Sequence, residues 1–215
     1  MEVLIVGGGP VDLKQLSREL MDGPGLVIAA DAGGKHLDDI GRLPQVLLGD
    51  FDSLSKAMVQ KMGQAGVEIV SYPIAKDQTD LELAVDLALA RGATQIRIIG
   101  GLGDRIDHTL GNIGLLLKAY QKGAPAFLID SRQEVTLTDG EIQLSNQVGG
   151  GVSLIPLTPM VSGVITTGLK FPLNNADLYF YQTRGIHNEF TEKIAKISLK
   201  KGTLLIVTFR EGMPS

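Results

Sequence analysis

Up to about Asp130, the chain alternates short apolar runs with segments whose apolar residues recur at helical spacing. The candidate strands are Val3–Val6, Leu26–Ala30, Val46–Leu48, Val67–Ser71, Ile96–Ile99 and Ala126–Ile129. The candidate helices are Val11–Met21, Lys56–Ala65, Leu81–Ala90 and Ile106–Tyr120. Because neighbouring parallel strands need a crossover connection, this alternation predicts βαβ units and an α/β domain with a parallel sheet over 1–132.

After Asp130, strand-like runs follow one another with no helical pattern between them. They are Glu134–Thr138, Glu141–Leu144, Gly151–Leu157, Gly163–Thr167, Asp177–Tyr181, Ala195–Leu199 and Thr203–Phe209. Asp139-Gly140 indicates a hairpin between the first two runs, and Lys200-Lys201-Gly202 predicts a tight turn between the last two. These features predict an antiparallel β-sandwich or barrel over 133–215, with the boundary near Ser131–Glu134.

Charge and composition exclude several classes of protein. The net charge is −4 and the pI is near 5.4, with scattered Lys and Arg, so no electrostatic footprint for nucleic acid is present. The chain has no Cys, which excludes disulfides, thiolate nucleophiles and zinc-ribbon sites. No basic leader precedes the first apolar run, and no run approaches the roughly 18 apolar residues of a membrane span. We therefore expect a soluble, cytoplasmic protein.

Aspartates follow most of the predicted strands of the first domain. They are Asp31, Asp50, Asp52, Asp77, Asp80, Asp104 and Asp107. Since the carboxyl ends of parallel strands lie along one edge of a sheet, these carboxylates are expected to meet in one crevice. Acids gathered there would repel one another without a cation, so the pattern predicts a divalent metal and a phosphate-bearing substrate.

Two of the acidic segments have a structural interpretation beside the functional one. Asp50 and Asp52 are two apart and can reach one Mg²⁺ ion, but the same residues suit an Asx turn in which Asp52 caps the next helix. Thr79 and Glu82 have capping-box spacing, and the helix dipole alone favours Asp80 in the first turn. Neither effect explains Asp77 or the adjacent Lys76, which suit a site that also holds phosphate oxygens.

The segment Gly100–His108 lies between a strand and a helix. Its glycines allow a close backbone approach to an anion, Arg105 can clamp a phosphate, and Asp107 adds a carboxylate. An ordinary tight turn would look similar. His108 is expected to pack rather than to act in catalysis, and Gly111 and Gly114 to allow close helix packing. The turn Gly7–Pro10 lacks both the dinucleotide and the P-loop pattern, so it predicts no more than a place near a phosphate.

Taken in order, five segments resemble the thiamine pyrophosphokinase family. They are Ala30-Asp31-Ala32-Gly33-Gly34, GDFDS at Gly49–Ser53, KDQTDLELA at Lys76–Ala84, GGLGDRIDHTLGN at Gly100–Asn112, and GIHNEF at Gly185–Phe190. The resemblance implies a Rossmann-like α/β domain followed by a C-terminal β-sandwich. It also implies a homodimer whose active site lies between the α/β domain of one subunit and the sandwich of the other. The implied reaction transfers pyrophosphate from ATP to the thiamine hydroxyl, with Mg²⁺ as cofactor and AMP as product.

The resemblance also implies roles for individual residues. Asp50, Asp52 and Asp80 match metal-binding acids, and Asp31, Asp80, Arg105 and Asp107 match residues around the reacting groups. Our own hypothesis is that Asp31 or Asp107 takes the proton of the acceptor hydroxyl, with metal and proximity alone as the alternative. Contacts to nucleotide or acceptor are implied for Lys76, Asp77, Gly101, Gly103, Arg105, His187 and Asn188.

Three departures from the family pattern bear on the acceptor and the phosphates. The family's ADGGAN segment is replaced around Ala32–His36, Asp104 adds a negative charge before Arg105, and His187 replaces a common Ser. Another hydroxymethyl heterocycle, such as a pterin, therefore stays open as the acceptor. A non-catalytic sensor of thiamine or nucleotide also stays open. A sugar transferase that uses Asp50 and Asp52 would leave the KDQTD and GDRID segments unexplained.

Overall fold

The computed structural model describes residues 1–209, which divide into two compact units, Met1–Asp130 and a second that begins at Ser131. The strands of the first unit are β1 (Glu2–Val6), β2 (Leu26–Ala30), β3 (Val46–Gly49), β4 (Glu68–Ser71), β5 (Gln95–Ile99) and β6 (Ala126–Ile129). Its helices are α1 (Leu13–Met21), α2 (Gly33–Asp39), α3 (Lys56–Gln64), α4 (Asp80–Ala90) and α5 (Ile106–Gln121). The predicted α/β class is confirmed, and only α2 lies outside the predicted elements.

All six strands of the first unit pair in parallel, in the order β6-β5-β1-β2-β3-β4. The strands are rich in Val, Ile and Leu because helices cover both faces of such a sheet, and all of β2 is buried. From β1 the chain runs outward to β4 and then returns to β5 on the other side of β1. This reversal creates a switch point between β1 and β5, where open α/β sheets bind their ligands.

The second unit contains two antiparallel sheets. Its strands are β7 (Gln133–Thr138), β8 (Glu141–Ser145), β9 (Gly151–Pro156), β10 (Met160–Thr167), β11 (Ala176–Tyr179), β12 (Asn188–Glu189), β13 (Ile194–Ser198) and β14 (Leu204–Phe209). Within this unit one sheet has the order β12-β9-β14-β7 and the other β11-β10-β13-β8. A shared core that includes Val161, Phe190 and Ile206 is buried between them, as in a β-sandwich.

The hairpin prediction at Asp139-Gly140 is wrong. In the structure β7 pairs with β14, while β8 pairs with β13 in the other sheet, so this short turn carries the chain from one sheet to the other. The turn after β13, at Lys200-Lys201-Gly202, also changes sheets. Strand β13, whose Ile197 is buried in the shared core, pairs with β8, and β7 pairs along its length with β14; this long-range pairing outweighs the local turn signal.

Two smaller corrections concern glycine and the membrane. The prediction that Gly111 and Gly114 allow close helix packing is wrong, because an added Cβ would meet no atom within 4 Å at either position. Within residues 1–209, no helix is both long and apolar enough to cross a membrane.

Candidate active site

A cavity of about 830 Å³ opens at the carboxyl edge of the parallel sheet. It is lined by the turns after β1, β2, β3 and β5 and by the first turns of α4 and α5. Both switch-point strands contribute glycines, through Gly7–Gly9 and Gly100–Gly103. The cavity therefore lies where the sheet topology predicts a ligand site.

The two glycine turns pack directly against each other. The Gly7 N–H donates to the Ile99 carbonyl at 2.8 Å, and the Gly9 N–H donates to the Gly100 carbonyl at 3.1 Å. A Cβ added at Gly9 would lie only 2.5 Å from the Gly100 oxygen, and Gly100 itself has a φ of 75°. Glycine is required here because no side chain fits between the two backbones.

Three polar side chains fix these turns, and the sequence analysis assigned a role to none of them. The Asn112 amide donates to the Gly101 carbonyl at 2.7 Å, and the Thr109 hydroxyl donates to the Gly103 carbonyl at 3.3 Å. The His36 Nε2 lies 3.0 Å from the Gly9 oxygen. Asn112 stands at the end of the GGLGDRIDHTLGN motif, and this position is the sequence feature that could have identified it as a site residue.

Three carboxylates form a cluster at this edge. One oxygen from each of Asp31, Asp50 and Asp52 lies within 4.8 Å of the other two. Asp31 is only 9% exposed, and its Oδ1 makes no hydrogen bond. Its backbone has a φ of 44°, and Gly49 lies against it, since a Cβ at Gly49 would come within 3.1 Å of the Asp31 Cβ. A buried, unbonded carboxylate oxygen beside two others fits a hard divalent cation such as Mg²⁺.

Lys76 is the cation that the structure places among these acids. Its Nζ lies 3.0 Å from Asp50 Oδ2 and 3.0 Å from Asp80 Oδ1, and the lysine side chain is 14% exposed. The sequence prediction grouped Asp80 with Asp50 and Asp52 as metal ligands, whereas within residues 1–209 the close carboxylate group contains Asp31 instead. Asp80 is joined to Asp50 through the ammonium.

The ionisation of these groups follows from their contacts. The hydrogen bond from Lys76 and one from the Asp52 backbone N–H hold the pKa of Asp50 below its ordinary value. Burial raises the pKa of Asp80 in spite of the same ammonium. Burial alone would lower the pKa of Lys76, but its close contacts with the Asp80 and Asp50 carboxylates outweigh that effect and raise it. The lysine is therefore firmly protonated at neutral pH.

Arg105 and Asp107 form a bidentate pair at the opening of α5. The Arg105 Nη2 lies 2.6 Å from Asp107 Oδ2, and the Nε lies 3.2 Å from Oδ1. Both side chains are exposed. The hydrogen bond from Arg105 and one from the His108 backbone lower the pKa of Asp107 to about 2. Asp107 is therefore a weak base, and it is paired with the guanidinium at the protein surface.

The remaining first-unit predictions concern the loops. Asp50 Oδ1 accepts a hydrogen bond from the Asp52 N–H at 3.2 Å, as in an Asx turn, but α3 is capped by Ser55 rather than by Asp52. Thr79 caps α4 as the spacing predicts, accepting from the Glu82 N–H. Asp77 is exposed and does not belong to the described residues that line the cavity.

The two predicted site residues of the second unit line a separate cavity of about 350 Å³. Asn188 is buried, and its amide donates to the Phe171 carbonyl at 2.8 Å and accepts from the Phe171 N–H at 3.0 Å. His187 has a φ of 69°, and its N–H donates to the Ser153 hydroxyl oxygen. Asn188 thus shapes the wall that carries Phe171, while His187 and Arg184 supply the polar lining.

Comparisons with known proteins agree in both units. A model of the thiamin pyrophosphokinase catalytic domain matches residues 17–128, and one of the vitamin B1 binding domain of thiamin pyrophosphokinase matches residues 140–204. A thiamine pyrophosphokinase from Bacillus subtilis is 34% identical over 94% of this chain and 96% of its own length.

Solved structures give the same result. The crystal structure of a thiamine pyrophosphokinase from Bacillus subtilis superposes with a TM-score of 0.87 at 31% identity, covering 97% of this chain and 99% of its own. A thiamin pyrophosphokinase from Geobacillus thermodenitrificans gives 0.82 at 31% identity, with 97% of both chains covered. The fold, the acidic cavity and these matches together establish that the chain belongs to the thiamine pyrophosphokinase family.

Proposed function

We propose that the protein transfers the pyrophosphoryl group of ATP to the hydroxyl of thiamine, giving thiamine diphosphate and AMP. The observation that carries this proposal is the cluster of Asp31, Asp50 and Asp52 beside Lys76 at the switch-point cavity. Carboxylates and an ammonium around one cavity suit phosphoryl-type transfer, which needs positioning and charge stabilisation more than a protein nucleophile.

In this reaction the thiamine hydroxyl oxygen forms a bond to the β-phosphorus. The bond between that phosphorus and the α,β-bridging oxygen breaks, and AMP leaves with its electron pair. Lys76 and Arg105 donate hydrogen bonds to phosphate oxygens, and the N–H groups of the glycine turns help to fix the nucleotide. Asp31, Asp50 and Asp52 would hold Mg²⁺, with Asp80 as a further acid beside Lys76; the ion would neutralise phosphate charge.

The proton of the acceptor hydroxyl needs a base. Of the two carboxylates considered from sequence, Asp107 is engaged by Arg105 and has a pKa of about 2. Asp31 lies in the cavity wall and has two carboxylate oxygens, so one would hold the ion and we assign the proton to the other.

The two units would divide the work. The α/β domain, 1–132, would bind ATP and Mg²⁺, and the sandwich, 133–215, would contribute to acceptor binding through His187 and Asn188. That division is supported by the match of the vitamin B1 binding domain to residues 140–204. Asp77 would act only at the rim, since its side chain is exposed.

We also propose a homodimer. The sandwich exposes large apolar side chains, among them Phe171, Phe180 and Tyr181, of the kind that subunit interfaces bury. Light scattering of the purified protein should give twice the chain mass of 22.9 kDa. A mass equal to that of one chain would refute the dimer.

Product analysis tests the proposed reaction. The protein is incubated with ATP, Mg²⁺ and thiamine, and in parallel with a hydroxymethylpterin in place of thiamine. We expect AMP and thiamine diphosphate in the first mixture and no turnover in the second. ADP with a thiamine monophosphate would make the protein a simple kinase, and turnover of the pterin would reassign the acceptor.

A further inference from the structure

Lys76 neutralises part of the negative charge beside the acidic cluster. Its ammonium bridges Asp50 and Asp80 at 3.0 Å each, and Asp50 is one of the three carboxylates of the acidic cluster. All three paired side chains are largely buried, with exposures of 14%, 12% and 24% for Lys76, Asp50 and Asp80. At these short distances the ammonium charge of Lys76 would repel a second cation bound to Asp50.

We propose that Lys76 is an internal counter-ion that keeps free divalent metal out of the acidic cluster and makes metal binding depend on the nucleotide. Without nucleotide, the ammonium competes with a divalent ion for Asp50 and repels it. Triphosphate oxygens accept hydrogen bonds from a lysine ammonium. A bound nucleotide would therefore draw Lys76 toward the phosphates and release Asp50 and Asp80. The site would thus select the metal–nucleotide complex over the metal alone.

Two observations distinguish this lysine from an ordinary ion pair. The Asp31 Oδ1 in the same cluster is buried and unbonded, so the cluster retains an unmet demand for a cation while Lys76 is in place. Lys118 offers the comparison, since it bridges Glu82 and Asp86 at 2.9 and 2.6 Å. Glu82 and Asp86 do not belong to the carboxylate group that could hold a metal among residues 1–209.

The inference deepens the proposed function but is tested without turnover. Binding of Mn²⁺ alone, with no nucleotide present, is measured by electron paramagnetic resonance of the free ion for wild type, K76Q, K76R and K118Q. Glutamine keeps much of the length and hydrogen-bonding ability of lysine without its charge. We expect K76Q to bind Mn²⁺ at least tenfold more tightly than wild type, and K76R and K118Q to bind as weakly as wild type.

A second measurement covers the case in which K76Q folds poorly. The apolar variant K76M is melted with and without Mn²⁺, because an ion that binds only the folded state raises the melting temperature. We expect Mn²⁺ to raise the melting temperature of K76M clearly and that of wild type hardly at all.

Equal Mn²⁺ affinity in wild type and K76Q, or an equal shift in the two melts, would overturn the inference. Failure of the proposed function has a different signature. In that case thiamine and ATP give no AMP, while K76Q still gains Mn²⁺ affinity.

Discussion

Asp50 and Asp80 contribute to the site through one shared ammonium. If both acids position metal, lysine and phosphates, replacing either by Asn should lower ATP-to-AMP turnover by roughly 10²–10³-fold, the usual loss for a preorganised electrostatic group. Steady-state kinetics of D50N and D80N, with circular dichroism to check folding, provide the measurement.

The matched control for these variants is D38N, since Asp38 pairs with Lys61 on the surface. It should keep wild-type turnover. Near-normal rates in D50N or D80N would remove that residue from the mechanism.

The pKa of the Asp107 carboxyl should depend on its pairing with Arg105. Its pKa of about 2 is caused first by the hydrogen bond from Arg105. Because folding lowers this pKa, the pair's contribution to stability is complete above the ordinary value of 3.8 and is lost as the pH falls through about 2. Carbon-detected NMR titration of the Asp107 carboxyl should show the low value in wild type and a rise toward 3.8 in R105Q. An unchanged pKa in R105Q would contradict the assigned cause.

The side-chain amide of Asn188 holds the segment that carries Phe171 through two hydrogen bonds. Replacing it by Ala leaves the Phe171 N–H and carbonyl without this partner, which should destabilise the fold by about 1–3 kcal/mol. Asn188→Asp keeps the acceptor but turns a charged oxygen toward the Phe171 carbonyl in a buried site, so it should lose more than the Ala variant. Urea unfolding of both variants measures the difference, and equal losses would contradict this account of the amide.

At the scale of elements, α5 contains two glycines that packing does not require. An Ala at Gly114 would meet no atom within 4 Å and should stabilise the helix by about 0.5–1 kcal/mol. Gly33 is the contrasting control, since a Cβ there would lie 1.9 Å from the Val6 oxygen and should prevent normal packing. Urea unfolding followed by circular dichroism measures both. A destabilised G114A would mean that this helix face is covered by another surface.

Local sequence patterns predicted the elements that propensity and burial determine together. Four of the five predicted strands after β1 coincide with largely buried parallel strands because runs such as Leu26–Ala30 must be apolar on both faces, whereas β4, at the edge of the sheet, is partly exposed. Helix α2 escaped prediction because Ala32-Gly33-Gly34 lacks helical periodicity, and Gly33 is needed where α2 packs on the end of β1. The sheet change at Asp139-Gly140 depends on long-range pairing, which a turn motif does not encode.

For the whole molecule, the sequence predicted the convergence of acids because parallel topology itself brings strand ends together. The cavity lining includes Asp31, Asp50, Asp80, Asp104 and Asp107 of the seven predicted acids, but not Asp52 or Asp77. The detailed pairing could not be read from sequence. Whether Lys76 would meet Asp50 or a solvent-exposed Asp77 depends on loop conformation, and Asp31 joins the cluster through an uncommon positive φ.

The most direct test is a crystal structure with Mn²⁺ and an ATP analogue whose α,β-bridging oxygen is replaced by methylene, so that pyrophosphoryl transfer cannot occur. Anomalous scattering locates the manganese without ambiguity. We expect a manganese peak bonded to the carboxylates of Asp50 and at least one of Asp31 and Asp52, with the triphosphate in the switch-point cavity. A nucleotide bound elsewhere, or a manganese ion away from these carboxylates, would contradict it.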